Sequence, residues 1–281
     1  MFPAKRFPIK KQAAPLMATL ALAALCVAFA FPFVWMFCAS FKSDADIFTP
    51  FPLLPHHFNP RYYSSLLDGS WIPYPRQFLN SLFIAIVETF LATSFAAGSG
   101  YVFAKFHFRH KQPLFILAVL TVLIPRQVLI LPLFIWMNKL SLLDTPWSVI
   151  LPGAASGIGI LYFTAIFRRL PDALLDMTRC EGAGEYRVFL GALPLVKPAL
   201  IAFALIQFVL CWQEHLVPLI MLSTQTHLTV TVGLSSLNAG SMRVPYGLLL
   251  AGCTLTVVPT ALFFALVHRQ FQSALSRLTE A

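Results

Sequence analysis

Residues 16–40, LMATLALAALCVAFAFPFVWMFCAS, contain no charged side chain. About 20 mostly apolar residues are enough for a helix to cross a bilayer. A secretory signal has an apolar region of only about 7–15 residues, followed by small residues at a cleavage site. This run is longer and continues into the bulky FPFVWMF. It therefore predicts a first transmembrane helix that stays in place.

The composition extends this prediction to the whole chain of 281 residues, which is 58% hydrophobic and 11% charged. Soluble domains carry about a quarter charged residues, so the composition excludes a disordered chain and argues against an ordinary water-soluble globule. We predict an all-α integral membrane protein with one transmembrane domain and six spans. The predicted spans cover about 16–40, 78–104, 113–137, 148–167, 198–222 and 246–267.

The net charge of +9 comes from short segments between the apolar runs. A nucleic-acid-binding surface would gather such charge on one solvated face, so no nucleic-acid partner is expected. Fourteen of the 20 Lys and Arg residues fall on one side of the predicted membrane, among them Lys5 and Arg6, and five fall on the other, among them Arg243. The positive-inside rule then predicts that both termini are cytoplasmic.

The five cysteines are scattered and form no CxxC pair. An odd number of isolated cysteines in apolar surroundings predicts free thiols rather than a disulfide framework or a metal site. We expect no cofactor.

The largest cytoplasmic segment, residues 168–197, mixes both signs of charge. Leu174 and Met177 follow helical spacing, Gly182 permits a turn, and Glu185–Ala192 can form a second helix. The segment predicts two short helices lying across the cytoplasmic face. Spacing alone leaves two interpretations open, a docking surface for a partner and an amphipathic piece resting on lipid.

Residues 170–200, LPDALLDMTRCEGAGEYRVFLGALPLVKPAL, resemble the EAA loop of permease subunits of bacterial ATP-binding-cassette (ABC) importers. The matching positions are Pro171, Leu174, Asp176, Glu181, Gly182, Ala183, Pro194 and Pro198. The E-A-A triplet itself reads Asp176-Met177-Thr178 here. Flanking segments such as FPFVWMFCASFKSDADIF and WQEHLVPLIML resemble, in order along the chain, the carbohydrate-uptake branch with its maltose-type permeases.

This resemblance implies a type I importer permease in a bacterial inner membrane, carrying a sugar or sugar-like solute. Its partners would be a second permease, a dimeric ABC ATPase and an extracytoplasmic solute-binding protein. The resemblance also implies a subunit that is no enzyme by itself. The chain has no GxxxxGK[ST] phosphate loop, so a separate subunit would bind and hydrolyse ATP. The residues implied to couple to that ATPase are Leu174, Asp176, Met177, Glu181, Gly182 and Ala183.

Ionisable residues within the apolar runs are Glu88, Arg126, Glu214 and His215. A charge at bilayer depth costs at least a few kcal/mol, so each needs a partner or a watery path. Arg126 fits either a structural ion pair, a position at the interface or the solute path. Two interpretations, a sugar site and a helix end at the interface, fit the neighbouring residues Trp212, Gln213, Glu214 and His215. The candidate solute path is Arg126, Trp212, Gln213, Glu214 and His215.

Two other classes of protein fit the sequence less well than an importer permease. An ion-gradient-driven secondary transporter usually shows inverted repeats and a chain of buried acids at the midplane, and the sequence shows neither. A membrane-embedded enzyme is disfavoured because the seven histidines form no HExxH or comparable ligand set. The sequence leaves open the solute and whether the chain pairs with itself or with a relative.

Overall fold

The computed structural model describes residues 10–48, 53–55, 57–239 and 244–279, with side chains for 17–48, 53–55, 57–237 and 244–265. Lys5, Arg6 and Arg243, which contributed to the predicted orientation, lie outside these residues. Within them the chain forms helices and no strands. The fourteen α-helices are α1 (Lys10–Ala39), α2 (Asp44–Ile47), α3 (Arg61–Leu67), α4 (Tyr74–Lys105), α5 (Lys111–Leu123), α6 (Arg126–Lys139), α7 (Trp147–Ala154), α8 (Gly157–Arg168), α9 (Asp172–Cys180), α10 (Glu185–Ala192), α11 (Lys197–Gln213), α12 (Leu216–Met221), α13 (Val230–Ala239) and α14 (Tyr246–Thr279), and a 3-10 helix (Pro194–Val196) precedes α11.

Five stretches of the described residues are long and apolar enough to cross a membrane, and α5 with α6 makes a sixth if this bent pair is one span. The five are Met17–Ala39, Tyr74–Lys105, Trp147–Arg168, Glu185–Gln213 and Tyr246–Ala265. The prediction of an all-α membrane protein is confirmed.

The predicted span 113–137 is not one continuous helix, because α5 and α6 meet at an angle of 107°. Pro125 lacks a backbone N–H and disfavours helical geometry in the residue before it. Ile124 is accordingly extended, with φ −85° and ψ 119°. Arg126 therefore stands at the first position of α6, beside a sharp bend, and not in the middle of a helix.

The structure also differs from the predicted span 198–222, because α11 ends at Gln213. Glu214 is extended, with ψ 128°. Its Oε1 accepts hydrogen bonds from the backbone N–H groups of the next three residues, at 3.0–3.4 Å. These bonds cap α12, so Glu214 and His215 lie in a break between two helices.

The described residues divide into two compact units, one made of those within 1–65 and 242–255, and the other of those within 66–241 and 256–281. In the second unit α4 packs against α7, α8 and α11. Glycines permit close approach here, since a Cβ added to Gly100 would overlap Phe163, and one added to Gly159 would overlap Ala96 and Phe203. Small residues at crossings are typical of helices that pack in membranes.

The first unit is held by an aromatic cluster at the end of α1. Phe41 stacks on Phe58 and Tyr63, with ring centroids 4.1 and 4.9 Å apart. The hydroxyl groups of Ser40 and Tyr63 lie 2.7 Å apart. Within the α1 stretch Met17–Ala39 the most apolar window is exposed along its whole length, as expected of a helix whose environment is lipid or another chain.

Asp144 joins the loop before α7 to the loop before α13 within the second unit. Its Oδ1 accepts hydrogen bonds from the backbone N–H groups of Ser223 and Thr224 at 2.8 and 3.0 Å. Its Oδ2 accepts the Thr224 hydroxyl and lies 3.0 Å from His227 Nδ1. Partial burial alone would raise the pKa of Asp144, but these hydrogen bonds hold that pKa well below its usual range.

Asp144→Asn should therefore lower the stability of the protein by roughly 2 kcal/mol at pH 7. Asparagine keeps Oδ1 for the two backbone N–H groups but loses the charged Oδ2 acceptor of the Thr224 hydroxyl, and one hydrogen bond to a charged group contributes about 1.5–3 kcal/mol. The contribution is complete above the ordinary aspartate pKa of about 3.9 and fades as the pH falls below it, where the unfolded chain binds the proton first. Thermal unfolding between pH 7 and pH 3 measures this. Asp68→Asn is the control, because exposed Asp68 accepts a local N–H from Ser70. A loss for Asp144→Asn as large at pH 3 as at pH 7 would contradict the account.

Candidate functional site

Segment 168–197 forms the two predicted helices, α9 and α10. Gly182, between them, has φ +80°, in the left-handed region that favours glycine. A Cβ added there would meet no atom within 4 Å. The turn therefore requires glycine for its backbone conformation and not for lack of space.

The two helices are anchored in the core of the second unit by side chains on their inner faces. Leu175 is 2% exposed, and Val188 and Ala192 are also buried. All three belong to an apolar cluster that includes Phe163 and Phe167 of α8. Leu175 was not predicted as an anchor, although its place one residue after Leu174 puts it on a different helix face.

Two charged side chains fix α9 from its ends. Lys105, whose side chain is 6% exposed, donates to the Leu170 carbonyl and the Asp172 carboxylate, both at 2.6 Å. The hydrogen bond from Lys105 to the carboxylate lowers the pKa of Asp172. Arg179 donates to both carboxylate oxygens of Glu185 at 2.9 and 3.2 Å, and to Asp176 at 2.8 Å. The hydrogen bonds to Glu185 and then Asp176 raise the pKa of Arg179. They tie α9 to α10.

The outer surface of α9 and its turn is made by Leu174, Asp176, Met177 and Glu181, which we call the coupling face. All four are exposed, with Leu174 at 45% and Met177 at 68%. Gly182 is exposed beside them and Ala183 is half-buried. The coupling face thus exposes the apolar pair Leu174 and Met177, with acidic neighbours, on a helix whose inner face is anchored in the core.

A cavity of about 730 Å³ lies in the second unit beside the bend between α5 and α6, and we call it the bend cavity. Its wall is mostly apolar. The lining includes Glu88 of α4, Arg126 and Leu129 of α6, Ser156 and Gly157 at the start of α8, Cys211 of α11 and Glu214. Ligand pockets typically have volumes of about 300–1,000 Å³ and a few placed polar groups, so the bend cavity has the size and composition of a small-molecule site.

Glu88 contributes a carboxyl group to the lining of the bend cavity and is 3% exposed. Its Oε1 accepts a hydrogen bond from Gln207 Nε2 at 3.1 Å, and its Oε2 accepts one from Cys211 Sγ at 3.1 Å. The carboxyl group packs directly on Gly153, where an added Cβ would overlap it. Glu88 therefore joins α4, α7 and α11 through one buried side chain.

The structure brings together two of the five predicted solute-path residues. Arg126 and Glu214 both line the bend cavity. Trp212, Gln213 and His215 are not among its lining residues. Trp212 is buried, donates its Nε1–H to the Thr256 carbonyl at 3.1 Å and stacks on Phe208, so it serves the packing of the second unit.

The chain is similar in sequence to a known family of transport proteins. Residues 90–277 match the family described as binding-protein-dependent transport system inner membrane component. An arabinooligosaccharides transport system permease protein of Halalkalibacterium halodurans is 31% identical, with 95% of this chain and 98% of that protein covered. A lactose transport system permease protein of Rhizobium radiobacter is 30% identical, covering 86% and 87%. An sn-glycerol-3-phosphate transport system permease protein of Yersinia pestis is 28% identical, covering 86% and 88%.

A solved structure shares the fold. The crystal structure of a bacterial ABC transporter involved in the import of the acidic polysaccharide alginate contains a chain with a TM-score of 0.80. The alignment covers 95% of this chain and all of that one, at 18% identity. The predicted type I permease fold is confirmed, and nothing favours the secondary transporter. The family consists of transport components and not enzymes. The chain therefore belongs to the family of binding-protein-dependent transport system inner membrane components and is a multi-pass permease subunit of an ABC importer in the inner membrane.

Proposed function

We propose that this permease carries a sugar or sugar-like solute, which an extracytoplasmic binding protein delivers and a separate dimeric ATPase drives inward. The solute class is supported by the relatives, whose names refer to arabinooligosaccharides, lactose and sn-glycerol-3-phosphate. The observation that carries the proposal is the coupling face, an exposed apolar pair on a helix that is anchored by Leu175, Lys105 and Arg179.

Transmission of force explains why that anchoring matters. A docking helix on a flexible loop would absorb the closing motion of an ATPase. Here Lys105 ties the start of α9 to the end of α4, and Arg179 ties the end of α9 to α10. A displacement of α9 would therefore reach α4, and α4 carries Glu88 on the wall of the bend cavity. The path from the coupling face to the cavity runs through rigid helices.

The partner permease is proposed to be a related chain, as in the carbohydrate-uptake branch that the sequence resembles. The orientation is proposed to place both termini and segment 168–197 in the cytoplasm, because that side holds fourteen of the 20 Lys and Arg residues. Segment 168–197 then faces the compartment that contains ATP. The orientation agrees with its proposed role in docking the ATPase.

Leu129→Trp should reduce ATP-driven uptake at least tenfold if the bend cavity is the solute path. Leu129 lines the cavity, and an indole there would occupy space that the solute needs. The measurement is uptake of radiolabelled maltose, lactose and glycerol 3-phosphate into proteoliposomes containing the assembled transporter, with binding protein outside and ATP inside.

Val128→Trp is the matched control. Val128 is the neighbouring residue of α6, is 66% exposed and is not among the lining residues of the bend cavity. It introduces the same indole, with a somewhat larger added volume, but outside the cavity, so its uptake should stay near that of the unmodified transporter. Equal uptake by the two variants would contradict the assignment of the cavity as the solute path.

A further inference from the structure

The charged groups of the bend cavity are two acids and one base. Among the residues that line it, Glu88, Glu214 and Arg126 are the charged ones. Their bonding partners differ, and this difference indicates which of the three is free to bind a solute. The inference rests on the proposed function, in which the solute passes through this cavity.

Both acids already have partners in the protein. Glu214 uses Oε1 to accept three backbone N–H groups at the start of α12, where an acidic group is favoured by the helix dipole. Glu88 has one oxygen bonded to Gln207 and the other to Cys211, and its side chain is buried. One carboxylate is therefore engaged in capping α12, and the other in joining α4 to α11.

Arg126 is differently placed. It is exposed, and none of the ion pairs within the described residues includes it. An arginine within a membrane-spanning stretch is costly unless it faces water or a partner. Here the break at Pro125 places it at the first turn of α6 on the cavity wall. It is thus a cation presented to the contents of the cavity.

The chemistry of arginine defines what would bind there. A guanidinium group has a planar set of donors that matches a carboxylate or a phosphate with two parallel hydrogen bonds. The rest of the wall is mainly apolar and suits the faces of sugar rings. We propose that the solute is an anionic carbohydrate, carrying a carboxylate or a phosphate group that binds Arg126 in the bend cavity.

The test measures direct binding to the assembled transporter in detergent, without the binding protein, so that the selectivity of that protein does not contribute. The probes are two matched pairs, digalacturonate with neutral digalactose, and glucose 6-phosphate with glucose. Isothermal titration calorimetry should show at least one anionic probe binding roughly tenfold or more tighter than its neutral partner, the discrimination expected of a hydrogen bond to a charged group. The pair of probes that shows this preference tells whether Arg126 binds a carboxylate or a phosphate.

Two variants separate solute recognition from a structural role. Arg126→Gln should abolish the preference for the anionic probe. Lys139→Gln, which removes an exposed charge at the end of α6 that is not itself among the lining residues, should retain it. A structural ion pair with Glu88 predicts a different result, in which Arg126→Gln destabilises the transporter, Glu88→Gln restores its stability and the preference is unchanged.

The inference is overturned if the neutral probes bind as tightly as the anionic ones, or if Arg126→Gln keeps the preference. If neutral sugars bind and Leu129→Trp blocks their uptake, the proposed path stands and only the anionic class is wrong. If no probe binds and Leu129→Trp transports as well as Val128→Trp, the proposed path fails together with the inference.

Discussion

Met177→Asp should reduce the amount of ATPase that copurifies with the permease by about thirtyfold or more, because loss of an interface hot spot costs about 2 kcal/mol or more of binding free energy. Met177 is 68% exposed on the coupling face, so aspartate there leaves the packing of the permease unchanged. In a docked complex the new carboxylate would be buried without a partner, which is strongly unfavourable. The ratio of ATPase to permease after affinity purification in mild detergent measures the effect.

Two controls make this result specific. Met177→Leu keeps an apolar side chain of similar volume and should retain the ATPase. Leu175→Asp changes a residue that is 2% exposed in the core, so it should remove the folded permease itself. ATPase retention by Met177→Asp equal to that of Met177→Leu would contradict the assignment of the coupling face.

Gly153→Ala should destabilise the permease by about 1–3 kcal/mol, the usual cost of overpacking a core. The added Cβ would overlap the carboxyl group of Glu88. Displacing that carboxyl would also break its hydrogen bonds with Gln207 and Cys211, and buried polar groups that lose their partners cost about 1–3 kcal/mol more. The thermal unfolding temperature of the purified permease measures the loss.

A second substitution tests the cause. Glu88→Ala removes the carboxyl group, so Gly153→Ala should be far less harmful in that background than alone. Gly191→Ala in α10 is the matched control, because a Cβ there meets no atom within 4 Å and alanine favours a helix by about 0.5–1 kcal/mol. If Gly153→Ala costs the same with and without Glu88, the packing described around Glu88 is wrong.

The elements that sequence predicts well are those determined by local pattern. Long apolar runs define spans because backbone hydrogen bonds must be satisfied inside the bilayer. The helix over Glu185–Ala192 and the glycine turn at Gly182 are both present, since backbone dihedral preferences act over a few residues. The apolar pair Leu174 and Met177 is exposed as a docking surface requires.

The elements that sequence predicts poorly depend on tertiary contacts. Pro125 lies inside the predicted span 113–137, yet the chain turns by 107° there. Glu88 was recognised as an acid within an apolar run, but its place beside Arg126 and Glu214 depends on how α4, α6 and α11 pack. Trp212 is predicted on the solute path because an aromatic ring beside hydrogen-bonding groups suits a sugar, but its side chain is buried and donates to the Thr256 carbonyl.

The central claim is that this chain works as a permease driven by a separate ATPase, and affinity purification from its native membrane in mild detergent tests it most directly. The account predicts that mass spectrometry finds an ABC ATPase and a second, related permease with the chain, and that the purified complex hydrolyses ATP. A permease recovered alone from well-preserved membranes, with no ATPase bound and no ATP hydrolysis, would contradict it.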